Sequence, residues 1–74
     1  MTKNIDISNT DLIAICVFAT KTLGDDIFFN DNDEVYEACK VIHSEYIKSD
    51  YENLNDFLYF EEKERLTKLI KEML

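Results

Sequence analysis

Six carboxylates lie within the thirteen residues from Asp25 to Glu37, and this acidic segment is the part of the sequence best suited to bind something. No lysine or arginine occurs between Lys21 and Lys40, so the segment has no cation beside it along the chain. Three apolar residues, 27–29, lie inside it. An apolar run within an acidic segment indicates an acidic surface anchored to a hydrophobic core. Carboxylates at this density could bind calcium, catalyse acid–base chemistry or imitate phosphates.

Calcium binding by an EF-hand is excluded by the spacing. Such a loop needs oxygen ligands at positions 1, 3, 5 and 12 and a glycine at position 6. If the loop began at Asp31, position 5 would be Val35 and position 6 would be Tyr36. We therefore expect no calcium here.

Cys39 and His43 stand four residues apart on one predicted helix, and Cys16 could come near them. Structural zinc needs four ligands in a tetrahedron, usually from closely spaced pairs, and the sequence lacks such pairs. A cysteine on an apolar stripe usually packs in the core, and nothing indicates an oxyanion hole for a nucleophile. We expect two packed thiols, with no metal and no cofactor.

Catalysis and direct DNA reading are also disfavoured. A catalytic carboxylate pair needs a cleft that perturbs one member, and a domain of 74 residues has little room for one. The last helix is basic, but acids are interleaved among its cations, which is typical of a solvated face and not of a DNA-reading helix. The prediction is a protein that is not an enzyme and that binds no nucleic acid. The cations of that helix are Lys63, Arg65, Lys68 and Lys71.

The composition predicts one folded domain over residues 1–74, located in the cytoplasm. Forty-six per cent of the residues are hydrophobic, and the net charge is −8. That charge repels nucleic acid and anionic membranes and attracts basic partners. No apolar run approaches the roughly 18 residues of a membrane span, the start does not resemble a signal peptide, and the cysteines lack CxxC spacing.

The apolar spacing predicts an all-α fold, a small bundle of three to four helices. Residues 1–7 form an N-terminal arm in this interpretation. Ser8 can cap a first helix from about Asn9 to Leu23, whose apolar residues cover more than one face. Gly24 then predicts a left-handed stop.

The rest of the chain predicts two or three further helices. Residues 25–30 read as a loop in which residues 27–29 fold back into the core. Asp31 can cap a second helix from about Asn32 to Lys48. A short third helix and a fourth follow, with a break near Tyr59. The fourth could begin at Glu61 and Glu62, and its apolar face is Leu66, Leu69, Ile70, Met73 and Leu74.

Charge is distributed unevenly, and this asymmetry favours a functional role for the acids. Residues 25–62 contain twelve acids and two bases, whereas a solubility surface needs only mixed signs. Asp33 and Glu37 are like charges four apart on one helix, which costs stability. We infer that the acids imitate nucleic-acid phosphates in a basic groove of a partner. The predicted partner-binding residues are Asp25, Asp26, Asp31, Asp33, Glu34, Glu37, Glu45, Asp50, Glu52 and Asp56.

The size and charge of one copy, compared with those of duplex DNA, favour a homodimer. A chain of this length has an expected radius of gyration of about 11 Å and a diameter of about 29 Å, over which B-DNA carries about 17 charges. One copy supplies −8 and two supply −16. The apolar residues also exceed what so small a domain can bury. Ile27, Phe28, Phe29 and Tyr36 are either apolar anchors for the partner or core residues.

The segment Asp25–Glu37 and the tail Phe60-Glu61-Glu62-Lys63-Glu64-Arg65-Leu66 resemble the small acidic sliding-clamp inhibitors of staphylococcal phages, of the type found in phage Twort. The resemblance covers the whole chain in length and charge. It implies that the chain is a phage protein used to take over the host cell. It also implies a dimer that fills the DNA channel of the bacterial replicative clamp. Clamp loading on DNA, and with it host replication, would then stop.

Two other interpretations stay open. One is an inhibitor of CRISPR or restriction enzymes that uses the same mimicry on another basic cleft. The other is a helical adaptor or antitoxin that binds through an apolar face, while the acids only interact with solvent. Salt distinguishes mimicry from the adaptor, since binding by phosphate mimicry weakens steeply as the salt concentration rises and binding through an apolar face does not.

Overall fold

The computed structural model describes residues 6–61 and 63–74. In this part of the chain there are four α-helices and no strand, so the predicted all-α fold is confirmed. A single 3₁₀ turn, Leu23–Asp25, follows the first helix. Residues 1–5 of the predicted N-terminal arm lie outside the described residues. The helices are α1 (Asn9–Lys21), α2 (Asn32–Lys48), α3 (Leu54–Phe60) and α4 (Lys63–Met73).

Side-chain caps explain where the first three helices begin. The Ser8 hydroxyl accepts a hydrogen bond from the Asp11 amide at 3.1 Å, and the Asp31 carboxylate accepts one from the Glu34 amide at 2.9 Å. Both caps were predicted. Asn53 caps α3 in the same way by accepting from the Asp56 amide, also at 2.9 Å. Each cap satisfies an amide that has no partner within its helix.

The predicted left-handed stop at Gly24 is wrong. Gly24 does not have a positive φ, and α1 ends at Lys21, two residues before the predicted end. The chain instead turns through right-handed residues, and the amides of Asp26 and Ile27 both donate to the Leu23 carbonyl, at 3.0 and 2.9 Å. A 3₁₀ turn of this kind continues the chain in right-handed backbone, so no glycine is required.

The predicted break between the last two helices is confirmed. Glu61 has an extended backbone (ψ 149°) and its amide donates to the Phe57 carbonyl, which ends α3 at Phe60. The predicted position, Tyr59, is therefore one residue inside α3. The expectation that Glu62 helps to open α4 lies outside the described residues.

The core lies where α1 packs against α2, with α3 closing it from the side of α1 and α4 from the side of α2. The Tyr46 ring meets the Phe57 ring edge-on at 5.6 Å, which ties α2 to α3. The radius of gyration is 11.4 Å, as expected, but the molecule is elongated, measuring 36 × 23 × 19 Å. Within the described residues, no helix combines the length and the apolar character needed to cross a membrane. The fully buried side chains at the centre include Ile15, Ile42, Phe57, Leu66 and Ile70.

Candidate partner-binding surface

The structure separates the ten predicted acids into two groups at opposite ends of α2. Eight are exposed, while Glu34 and Glu45 are half-buried. Along α2 the nearest members of the two groups, Glu37 and Glu45, are eight residues or about 12 Å apart. The first acidic group, before and at the start of α2, is Asp25, Asp26, Asp31, Asp33, Glu34 and Glu37. The second acidic group, at the end of α2 and around the start of α3, is Glu45, Asp50, Glu52 and Asp56.

Two members of the first group build the start of α2. Asp31 is its N-cap, as described above. The Glu34 carboxylate reaches back to Asn30, accepting from its backbone amide at 2.9 Å and from its side-chain amide at 3.0 Å. These two charges therefore hold the junction between the loop and the helix, and the helix dipole favours them there.

Two other acids are paired with cations. Glu37 contacts Lys40 at 3.2 Å on the exposed side of α2, and the ammonium of Lys40 also lies 4.7 Å from the centre of the Tyr36 ring. Glu45 accepts a hydrogen bond from Arg65 of α4 and lies 3.7 Å from Lys48. The bond to Glu45 is the main reason that the pKa of Arg65 is raised above its ordinary value. Internal pairing therefore neutralises part of the predicted charge.

Asp26 faces the basic helix. It shares a surface groove of about 560 Å³ with Lys63, Lys68 and Lys71 of α4. No ion pair within 4 Å joins Asp26 to these or to other described cations. Glu64 and Glu72 line the same groove, so Asp26 lies on a surface of mixed sign.

Apart from Asp26, which shares its groove with three lysines, four of the predicted acids remain exposed, with neither an ion pair nor a side-chain hydrogen bond to any other described residue. They lie in both acidic groups, two at each end of α2. Asp56 is also exposed and has no ion pair, but its carboxylate accepts a hydrogen bond from the side-chain amide of Asn53 at 3.2 Å, so it is not counted with them. These four, here called the unpaired acids, are Asp25, Asp33, Asp50 and Glu52.

The run at residues 27–29 folds back into the core only in part. Ile27 is buried and cannot touch a partner, and Phe29 packs partly against the core. Phe28 is 82% exposed, so the prediction that it enters the core is wrong. The physical reason is that residues 28–30 belong to no helix, and consecutive side chains in such a segment point to different sides. Phe28 and the half-exposed Tyr36 remain as apolar contacts beside the first acidic group.

An exposed aromatic pair on α3 was missed by the sequence reasoning. Tyr59 and Phe60 are 78% and 63% exposed, and their rings meet edge-on at 4.9 Å. Phe60 also stacks against Tyr51 with the ring planes 4° apart. Asp56 lies one helical turn before them, so acid and aromatics share one face of α3. The available signal was that these aromatics fall outside the apolar stripe of Leu54, Phe57 and Leu58.

The outward face of α1 has the opposite character. Ile13 and Val17, one turn apart, are 65% and 47% exposed. Among the described residues of this face there is no carboxylate, and the one charge is Lys21. In a chain with a net charge of −8, it is an acid-free surface. The exposed residues of α1 are Asn9, Thr10, Ile13, Val17, Thr20 and Lys21.

The cysteines and the histidine lie inside the bundle. Cys16 of α1 and Cys39 of α2 are both free thiols, with their Sγ atoms 2.9 Å apart. Burial, together with the hydrogen bond and the charge of Cys16, raises the pKa of the Cys39 thiol to about 12. His43 is buried on the same helix. In the described parts of the chain, no three His, Cys, Asp or Glu side chains are grouped to hold a metal ion.

Comparisons with models of known protein families, with curated proteins and with solved structures gave no match to this chain. The candidate surface is therefore characterised by its own contacts. It consists of unpaired acids at both ends of α2, with exposed aromatic rings beside each acidic group.

Proposed function

We propose that this chain is a non-enzymatic inhibitor that binds a basic, DNA-handling protein by imitating the phosphate charge of a duplex. The observation that carries the proposal is the placement of the unpaired acids at both ends of α2, where internal cations do not neutralise them. Acids that served only solubility would be expected among cations on a surface of mixed sign.

The dimensions support a dimer as the active form. B-DNA carries one charge per roughly 1.7 Å of its axis, which is about 21 charges along the 36 Å length of this molecule. One copy, at −8, supplies about two-fifths of that charge. Two copies side by side supply −16, about three-quarters. The inhibitor is accordingly proposed to be a homodimer.

The acid-free face of α1 is the surface on which we place the second copy. Two strongly acidic molecules repel each other wherever carboxylates face carboxylates. Pairing through Ile13 and Val17 brings two copies together without such contacts and removes exposed apolar area from water. Both acidic groups then remain available to the target.

Exposed aromatics are proposed to supply affinity, while the acids supply steering. Charge accelerates encounter and sets specificity, whereas buried aromatic side chains contribute much of the binding energy. Phe28 lies beside the first acidic group, and Tyr59 and Phe60 lie beside the second. Each acidic group thus has an apolar anchor within reach.

The proposed target is the replicative sliding clamp of a bacterial host, because the sequence resembles the phage inhibitors of that clamp. The acidic surface would occupy the DNA channel and block clamp loading on DNA, and the site of action would be the host cytoplasm. An inhibitor of a CRISPR or restriction enzyme would use the same surface on another basic cleft.

A different class of function is favoured by one observation. Tyr59 and Phe60 form an exposed, mutually packed pair, which is the kind of surface a helical adaptor or antitoxin uses to bind an apolar partner. In that case the affinity would depend on these rings and would respond little to salt.

The test uses the full chain and a purified staphylococcal sliding clamp. Binding is measured by calorimetry or surface plasmon resonance between about 50 and 500 mM salt, with duplex DNA as competitor in a clamp-loading assay. The expected result is binding that excludes DNA and weakens steeply with salt. Replacing Asp25 and Asp33, two of the unpaired acids, with lysine should reduce affinity at least tenfold and leave the protein folded.

A matched control reverses two acids elsewhere. Glu64→Lys with Glu72→Lys makes the same change in net charge on α4, whose residues were not predicted to bind. It should retain most of the affinity. Equal losses in both variants would contradict the proposed site, and salt-independent binding that is lost with Tyr59→Ala and Phe60→Ala would favour the adaptor.

A further inference from the structure

Cys16 of α1 and Cys39 of α2 place two thiols in contact between the helices. Their Sγ atoms lie 2.9 Å apart, and the residues are separated by 23 positions in the sequence. A disulfide has sulfurs about 2.05 Å apart, so a movement of less than about 1 Å would bring these atoms to bonding distance. The cysteines are on two helices that pack against each other in the core.

We propose that Cys16 and Cys39 are an oxidative modification site that reacts with a small-molecule disulfide, such as oxidised glutathione, to form an intramolecular disulfide between α1 and α2. This modification site does not depend on the proposed function, because it is inferred from the contact between the two cysteines of α1 and α2 alone.

The difference in exposure fixes the order of the two steps. Cys16 is half-buried, whereas Cys39 is fully buried, so Cys16 reacts first. The Cys16 thiolate attacks the small disulfide, forms a mixed disulfide and releases one small thiol. The Cys39 thiolate then attacks the Cys16 sulfur, and the departing small thiolate takes up the proton that Cys39 has lost and leaves as the second small thiol. Overall, two cysteine thiols are oxidised and one disulfide is reduced to two thiols.

The second step is expected to be slow near neutral pH. Burial raises the pKa of the Cys39 thiol to about 12, so little of the attacking thiolate exists at pH 7. Its contact with Cys16 compensates, because a sulfur held beside its target reacts at a high effective concentration. The rate of ring closure should therefore rise with pH.

The crosslink would enclose the whole first acidic group. Residues 16 and 39 flank the 3₁₀ turn, the loop and the beginning of α2, which are the parts that carry Asp25 to Glu37. Closing this loop restricts the unfolded chain and fixes the two ends of the acidic segment relative to each other. We expect the oxidised protein to be more stable, with a thermal midpoint raised on the order of 10 °C.

The experiment treats the folded, full-length protein with oxidised glutathione from pH 7 to 9 and follows it by intact mass and thermal denaturation. The expected product is a monomer-length chain that has lost two hydrogens, carries no glutathione, forms faster at higher pH and melts at the higher temperature. Retention of both thiols, a persistent glutathione adduct, crosslinking between chains or an unchanged midpoint would each overturn the proposal.

Two variants keep the result interpretable. Cys16→Ser changes a half-buried residue and should give neither an adduct nor a stabilised product. Cys39→Ala, which fills the buried site with an apolar side chain, should stop at the glutathione adduct on Cys16. If Cys39→Ala does not fold, the Cys16→Ser result and the mass of the wild-type product still decide the matter.

Discussion

Arg65, at the start of α4, donates a hydrogen bond from its guanidinium to the carboxylate of Glu45, near the end of α2. The same guanidinium lies 3.3 Å from Glu61, one turn before it. This arrangement links the last helix to the longest one. Glu45 had been predicted to bind a partner, but its charge is already used within the bundle.

Glu45→Gln should therefore affect stability more than binding. Partly exposed ion pairs contribute up to about 1 kcal/mol, so we expect the thermal midpoint to fall by about 5 °C while affinity for the basic partner changes less than twofold. Glu52→Gln is the matched control, since it removes the same charge from an unpaired acid. It should leave the midpoint unchanged and weaken binding severalfold. Thermal denaturation and calorimetry give both values, and the reverse pattern would contradict the division between structural and binding acids.

Asp31→Ala should destabilise the protein by removing the N-cap of α2. The Asp31 carboxylate accepts from the Glu34 amide at 2.9 Å, and loss of such a cap typically costs about 1 kcal/mol. Asp33→Ala serves as the comparison, because Asp33 lies in the same helical turn without capping it, and its effect should stay within a few tenths of a kcal/mol. Urea denaturation with far-UV circular dichroism measures both. Equal effects would mean that the cap contributes nothing beyond charge.

The helices were predictable because their signals are local. Ser8 and Asp31 are cap residues followed by apolar positions at helical spacing, and the first residues of α1 and α2 agree with the prediction. Glu61 and Arg65, four apart in the sequence, form an ion pair at a spacing that favours one. By contrast, Gly24 suggested a left-handed stop, since sequence alone does not reveal that the chain continues into a right-handed 3₁₀ turn.

The candidate site was less predictable because it depends on contacts between distant residues. Glu45 and Arg65 are twenty positions apart, so their pairing could not be inferred from spacing. The ten acids looked like one cluster by composition, yet α2 holds them in two groups. Phe28 looked like core by its hydrophobicity, but its neighbours Ile27 and Phe29 pack against the core while Phe28 stays exposed.

Ile13→Asp should prevent the proposed dimer. It places a carboxylate on the acid-free face of α1, where the second copy is expected to bring the same charge opposite it. The dissociation constant should rise at least tenfold, while the fold is retained because Ile13 is 65% exposed. Analytical ultracentrifugation over a range of concentrations measures this. Asn55→Asp, which adds the same charge at an exposed position of α3, should leave the dimer intact. A monomeric wild type would exclude the dimer. A dimer that persists in Ile13→Asp would place the second copy on another surface.

Alkaline pH should destabilise the reduced protein, and Cys39 is the first cause. Its thiol has a pKa of about 12 in the folded chain against 9.0 for the ordinary group. Below pH 9 both states keep the proton and the stability is fully present. Between pH 9 and 12 the unfolded chain releases the proton while the folded chain retains it, so the free energy of unfolding falls as pH rises.

The expected loss from Cys39 between pH 9 and pH 10 is about 1 kcal/mol. Tyr46 adds a further loss at higher pH, because burial, with a smaller effect from Asp11, raises its pKa above 10.0. Urea denaturation at pH 8, 9 and 10 with a reducing agent isolates the cysteine effect. Cys39→Ala should start from a lower stability and lose less of it over this range, since alanine does not titrate. Identical slopes for the two proteins would show that the buried thiol does not control the alkaline limit of the fold.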